Sequence, residues 1–442
     1  MFDLTHPIFF FTERSGRFAA AGVPGLIPQH RPLPGKGGRT MRSYFRDGKR
    51  TLLAVVVFGS VCFFSVVAAA DPIVIGIPHS QAYPYAEMMK NSFTMAADRI
   101  NAEGGIKGRP LKLVYANDQG KKDPGQEAIR HLVKKEKVVM LVGAYQSSNT
   151  LFMAMTADRL GVPFLVCTAA DDRITQRKLQ NVFRLNPPAK DYAAGLQQFF
   201  TDVVKPGSMA IVYENSPYGT SGAMQMMWFC RERDIDLRAI VPYHKEKARK
   251  ESIGTPYFKR LLAPIAARPP DVIYMVSYLN DAVLLVKLID EMDIDSLLTG
   301  GAGGFTHQKF IDKSGKKGEY LITAALWCPQ LRYQGAGAYY ENYIARYTVP
   351  PDYHGAEAYS ALLVAADALE RAKSMRPEDV RTALHSSRLM TPFGPVEFST
   401  YDKFERQNRL PTMVLQVIGG RFECIWPRQH ASARFVPPVG RR

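Results

Sequence analysis

Short, wholly apolar runs alternate with longer amphipathic stretches along most of this chain, and halfway along the alternation starts again. Ile73–Ile77 reads as a strand buried on both faces, the pattern of a parallel sheet, and Leu111–Tyr115, Val138–Val142 and Val162–Val166 read as the next three strands. Between them, Tyr85–Glu103, Gln126–Glu136 and Thr150–Leu160 read as helices. The first carries Met88, Met89, Phe93, Met95, Ala96 and Ile100 as its apolar positions and stops at Gly104-Gly105, where glycine accepts left-handed backbone. Strict strand–helix alternation implies right-handed βαβ units on one sheet. The second round has strands Met209–Tyr213, Leu237–Val241 and Val272–Val276, with helices Gly219–Asp234, Tyr257–Ala267 and Asp281–Met292. The chain is therefore expected to be α/β, with two lobes, each a mainly parallel doubly wound sheet, and a cleft between them. Ligands of such sheets sit beyond the carboxyl ends of the strands. That rule nominates five loops: His79–Tyr85, Gly143–Thr150, Cys167–Asp172, Glu214–Gly219 and Ser277–Asp281.

Beyond these units the pattern loosens. A strand at Leu321–Leu326 precedes helices at Ala338–Tyr347, Tyr359–Arg371 and Pro377–His385, then strands near Val396–Phe398, Thr412–Ile418 and Arg421–Ile425. So few strands do not make a third domain. They are expected to return and complete both lobes, which requires several linking segments.

Ahead of the first strand stands a charge-free apolar run, Leu52–Ala70, ending in Ala68-Ala69-Ala70. Arg42, Arg46, Lys49 and Arg50 precede it, so 41–70 reads as a signal peptide cleaved after Ala70, with export to the periplasm. An uncleaved anchor is the alternative, since the run is just long enough to span a bilayer. Cys62 follows Val61 rather than a small residue, which argues against lipidation. Residues 1–40 show no helical or strand period and read as a mis-called start or an extension. Residues 1–70 carry nine Lys/Arg and three Asp/Glu, so cleavage lowers the net charge from +16 to +10. The remaining positive charge is scattered, with no basic helix interleaved with aromatics, so nucleic-acid binding is not expected.

Catalytic signatures are missing as well. There is no P-loop, Gly300–Gly304 lacks the dinucleotide-binding spacing, and no G-x-S-x-G elbow occurs. The histidines lack zinc spacing, and neither serines nor cysteines have a positioned base. No enzyme activity, metal or cofactor is expected. Four cysteines follow the apolar run, Cys167, Cys230, Cys328 and Cys424, and their spacing chooses no pairing.

Several ordered blocks carry a resemblance: Tyr85–Gly105 with Ile100-Asn-Ala-Glu-Gly-Gly-Ile-Lys-Gly-Arg109, Gly143-Ala-Tyr-Gln-Ser-Ser-Asn-Thr150, Cys167-Thr-Ala-Ala170, Tyr218-Gly219 and Pro395–Phe398. Over residues 71–428 the chain resembles the leucine/isoleucine/valine-binding protein family, substrate-binding components of branched-chain amino-acid-type ABC transporters. The resemblance implies the two-lobed type I periplasmic binding fold with three inter-lobe crossings, lobe one being 71–188 plus 328–395 and lobe two 189–327 plus 396–442. It also implies a small-molecule ligand, an inner-membrane ABC permease as partner and a monomeric state. A sensory binding protein of the same fold is the alternative.

By the same resemblance, Ser147 and Ser148 are expected to hold a ligand carboxylate at a helix start, where free N–H groups and the helix dipole favour an anion. Ala169, Ala170 and Asp171 match the next ligand-facing loop, and Tyr85, Tyr218 and Tyr278 match aromatic positions lining the cleft. The acidic residue with which amino-acid binders hold the ligand ammonium is replaced by Gly301-Ala-Gly-Gly-Phe305. Asp171 is the first candidate to replace it, ahead of Asp281 and Glu357. The expected ligand is a small carboxylate other than leucine, isoleucine or valine, with a flat apolar body. Assigned to lobes in this way, the cysteines would pair as Cys167 with Cys328 or Cys230 with Cys424.

Overall fold

The computed structural model describes residues 71–244, 247 and 255–438. The expected extension 1–40 and signal peptide 41–70 lie outside the described residues. Two seven-stranded sheets form the frame. In the first, Leu111–Asn117, Ile73–His79, Met140–Gly143, Phe164–Val166 and Val182–Arg184 lie side by side and parallel. In the second, Asp236–Tyr243, Ser208–Glu214, Val272–Val276, Leu297–Gly300 and Ile322–Ala325 repeat that order, also parallel. The central strands are buried along their whole length, as their unbroken apolar runs require.

Each sheet is finished by residues from late in the chain. Ser399–Tyr401 and Phe404–Gln407 form a hairpin whose second strand joins Val182–Arg184 in the first sheet. Met413–Ile418 and Arg421–Trp426 add two antiparallel strands to the second. The chain thus passes between the sheets three times: between Arg184 and Ala194, between Ala325 and Ala336, and between Gln407 and Met413. The expected return to lobe two at residue 396 is corrected by this hairpin, which keeps residues 399–407 in the first lobe. Val396 itself lies in a separate two-stranded ribbon, Arg388–Thr391 with Gly394–Glu397. The short polar strands of the hairpin carry no apolar run by which to recognise them.

Two helices begin earlier than expected. The helix Ser147–Arg159 starts three residues ahead of Thr150, because the Gln146 carbonyl accepts both the Thr150 N–H at 3.0 Å and its hydroxyl at 2.8 Å. The helix Tyr353–Arg371 starts at the Asp352 cap, whose carboxylate accepts the His354 N–H at 2.9 Å. That helix is buried against Ala86–Ala102, and Gly355 leaves room for the Tyr339 hydroxyl, which meets that of Ser92 at 2.9 Å. The expected cysteine pairs do not form: Cys167, Cys230, Cys328 and Cys424 are all free and buried. Among the described residues, no helix is long and apolar enough to cross a membrane.

Candidate functional site

The strand order places the site. In both sheets the first strand has the second on one side and the third on the other, so the chain reverses direction across the sheet at that point and leaves a crevice there. In the first lobe the loops leaving this point deliver Tyr85, Tyr145 and Ser147. In the second lobe they deliver Tyr218, on the first turn of Pro217–Glu232, and Tyr278, the cap of Leu279–Glu291. The two crevices face each other. Between them lies a cavity of about 20 Å³, lined by Tyr145, Ser147, Thr168, Ala170, Tyr192, Tyr218, Tyr278, Gly303, Tyr353 and His354. That is roughly the space for one water.

The lobes meet through polar contacts around this cavity. The Tyr85 hydroxyl donates to the Gly303 carbonyl at 2.6 Å, and the Gly303 N–H donates to the Tyr353 hydroxyl at 3.1 Å. The Ser221 hydroxyl donates to Asp172, and the Thr306 hydroxyl to Asp352 at 3.3 Å. Tyr218 holds the same glycine-rich loop from within lobe two, donating to the Gly301 carbonyl at 2.7 Å. The loop's tight course needs its glycines: Gly303 has φ +56°, and a Cβ on Gly304 would overlap the backbone of Tyr278 and Leu279.

Of the expected site residues, Ser147, Ala170, Tyr218 and Tyr278 line the cavity. Ser147 also organises the wall, its hydroxyl oxygen accepting the N–H groups of Ala170 at 3.0 Å and Asp171 at 3.2 Å. Tyr85 is fully buried just behind, stacked on His354 with ring centres 3.6 Å apart. Ala169 is buried behind the lining, and Ser148 is half-buried outside it. Asp171 is not among the lining residues; its buried carboxylate is held by the Arg173 guanidinium at 2.7–3.2 Å and borders a separate groove.

The sequence reading missed Tyr145, Tyr192 and Tyr353 as lining residues. The Tyr145 hydroxyl is buried without a hydrogen-bond partner. Tyr192, in the first crossing, accepts from the Asn186 amide at 2.6 Å. Five tyrosine rings therefore wall a small space, with hydroxyls at its edges, and no Asp or Glu is among the lining residues.

Carboxylates lie one layer back. Nδ1 of the buried lining residue His354 is 3.1 Å from the carboxylate of Asp352, which is half-buried. Burial pushes the Asp352 carboxyl up, but the charge and hydrogen bonds of His354 outweigh it and hold the group below its ordinary range. Glu357, one turn beyond Tyr353, is wholly buried, and neither oxygen has a partner at hydrogen-bond distance. Burial raises its carboxyl well above the ordinary value. The nearby Thr168 hydroxyl opposes this, and the Asp352 charge adds to it. The folded state therefore keeps a proton that the unfolded chain releases near the ordinary glutamate value. This contribution to stability is full below that value and is lost as pH rises towards Glu357's own raised one. Thermal stability of the wild type should fall as pH rises above about 5 more steeply than that of Glu357→Gln. Equal slopes would show that Glu357 does not titrate in this way.

Two doubly wound lobes with facing crevices and three crossings define the two-lobed periplasmic binding fold. Residues 73–421 match the periplasmic binding protein family, and the chain belongs to it. Leu/Ile/Val-binding protein homolog 7 of Brucella suis is 24% identical over 398 residues, spanning 85% of this chain and 97% of the relative. Among solved structures, the branched-chain amino acid transporter substrate binding protein LivJ from Streptococcus pneumoniae, in complex with isoleucine, is similar with a TM-score of 0.71 at 20% identity. That match covers 80% of this chain and 98% of LivJ. An ABC transporter solute binding protein from R. palustris, in complex with benzoate, has a TM-score of 0.70 at 17% identity, covering 80% of this chain and 95% of that one. The family consists of substrate-binding proteins, not enzymes.

Proposed function

We propose that this protein captures a small carboxylate with a flat, apolar or aromatic body and hands it to the permease of an ABC importer, working as an exported monomer. The observation that carries this reading is the wall of the cavity: five tyrosines, a serine at a helix start, and no acid from either lobe. The Ser147 hydroxyl and the first N–H groups of Ser147–Arg159 suit a carboxylate. The tyrosine rings suit a flat body, and their hydroxyls fix its orientation. An ammonium group would be desolvated there without a counter-charge, which is costly. The benzoate carried by the R. palustris protein is of the favoured class. With room for about one water, the cavity admits such a solute only when the lobes part and close again by a hinge.

The test is calorimetry on the purified protein with benzoate, leucine and isoleucine. Benzoate or a substituted aromatic carboxylate should bind at micromolar strength, about −8 kcal/mol, and leucine should be at least 100-fold weaker. Micromolar leucine binding would overturn the reading. Asp171→Ala should change benzoate affinity less than about 3-fold, because its carboxylate already serves Arg173 outside the cavity.

A further inference from the structure

One lining residue, His354, has a ring nitrogen that the contacts between the lobes do not use. Its ring lies flat between two tyrosines, with centres 3.6 Å from that of Tyr85 and 3.9 Å from that of Tyr353. Among the described residues its side chain hydrogen-bonds only through Nδ1, which is 3.1 Å from each oxygen of Asp352, the cap of its own helix. A carboxylate only accepts, so Nδ1 carries a proton and Nε2 is left for the cavity. Ser147 faces the same small space. So does Tyr145, whose ring centre is 5.6 Å from that of His354 and whose buried hydroxyl has no hydrogen-bond partner among the described residues.

We propose that His354, as an imidazolium, is the cationic anchor of the ligand carboxylate, that Asp352 is its positioning residue, and that binding therefore takes up a proton. This rests on the cleft taking a carboxylate, as proposed above, and not on the shape of the rest of the ligand. A neutral ring presents a lone pair at Nε2 and repels an anion. A proton taken from solvent turns Nε2 into a donor beside the Ser147 and Tyr145 hydroxyls, and no bond within the ligand changes. The Asp352 carboxylate stabilises that cation directly, and the faces of Tyr85 and Tyr353 attract it. The positive end of the helix Tyr353–Arg371 opposes it, but a full negative charge in contact outweighs that partial one. The other titratable groups around the ring are Tyr145, Glu357 one turn along the same helix, and His307 of the second lobe, whose ring centre is 5.0 Å from that of Tyr85. His307 does not supply the charge. Its Nδ1 accepts the Lys309 N–H at 2.9 Å, and burial holds it below the ordinary histidine value.

The experiment is calorimetry of benzoate binding to the purified full chain at pH 8, in two buffers of different ionisation enthalpy, which counts the protons taken up. About 0.5–1 proton per ligand is expected, and the association constant should fall by up to about tenfold per pH unit between about pH 7 and pH 9. His354→Gln should bind benzoate about 30-fold more weakly and take up no proton. Asp352→Asn should move the fall in affinity to lower pH, and Glu357→Gln should leave the proton uptake as it is. A wild-type association constant constant within about 2-fold from about pH 6 to pH 9, with no proton taken up, would overturn the proposal whether or not the variants fold. Leucine binding with proton uptake where benzoate fails would overturn the flat-body reading and support this one. Binding of neither carboxylate would overturn both.

Discussion

Arg184→Ala is expected to cost about 3–5 kcal/mol of stability. The guanidinium is wholly buried and spends its donors in several directions. It reaches the Asp171 carbonyl at 2.7 Å, Thr175 at 2.9 Å, Gln407 at 2.6 Å and, more weakly, the Ala169 carbonyl at 3.4 Å. Burial pulls its proton affinity below the ordinary value, and the charge of Asp172 opposes that. Truncation removes a donor from each of these buried acceptors, the Asp171 carbonyl keeping only the Ile174 N–H and Gln407 only the Thr175 hydroxyl, and it leaves Asp172 with Arg173 but without the buried cation. Each unsatisfied group costs about 1–3 kcal/mol. Lysine has a single ammonium in place of a planar fork and should rescue less than half of the loss. Urea unfolding measures the effect, and a loss below about 1 kcal/mol would show that the loop 169–175 does not depend on Arg184. The consequence for binding is indirect, because this loop carries the Ala170 wall of the cavity.

Gly303→Val should weaken ligand binding by about 100-fold while leaving each lobe folded. Gly303 sits at φ +56°, where a β-branched residue is strained by about 1–2 kcal/mol, and a Cβ there would overlap the Tyr218 hydroxyl. Its carbonyl and N–H also receive and give the two hydrogen bonds to Tyr85 and Tyr353 that join the lobes, each worth about 1 kcal/mol. These contacts exist only when the lobes are together, so losing them shifts the population towards the open form. Calorimetry with whichever aromatic carboxylate binds the wild type best gives the affinity ratio, and scattering of the ligand-mixed variant should report a larger radius. Affinity within about 3-fold of wild type would remove Gly303 from any part in closure.

The central parallel strands were readable because burial on both faces demands runs such as Ile73–Ile77 and Val272–Val276, whereas the three-residue strand Val182–Arg184 went unread. Topology then located the cavity, since the loops after those strands carry Ser147, Tyr218 and Tyr278. Tyr145 lay inside a recognised loop, but only the structure shows its hydroxyl buried and unpartnered. Tyr192 and Tyr353 were out of reach for another reason. Tyr192 lies within the first passage between lobes and Tyr353 opens the helix Tyr353–Arg371, and their nearness to the first-strand loops is a property of the whole fold, with no local period. The polar strands 399–401 and 404–407 hid the same way, and a buried arginine such as Arg184 looks in sequence like any surface one.

The threefold passage of the chain between lobes also sets an order of assembly. Lys107 and Glu370 are hydrogen-bonded although 263 positions apart, and the first sheet lacks its edge until residues 399–407 exist. Neither lobe is a contiguous stretch that can be completed early. Contacts so remote in sequence slow folding, because long loops must close before their energy is returned. A chain emerging from the ribosome therefore stays loose for most of its synthesis, open to chaperones and to any machinery that requires an extended substrate.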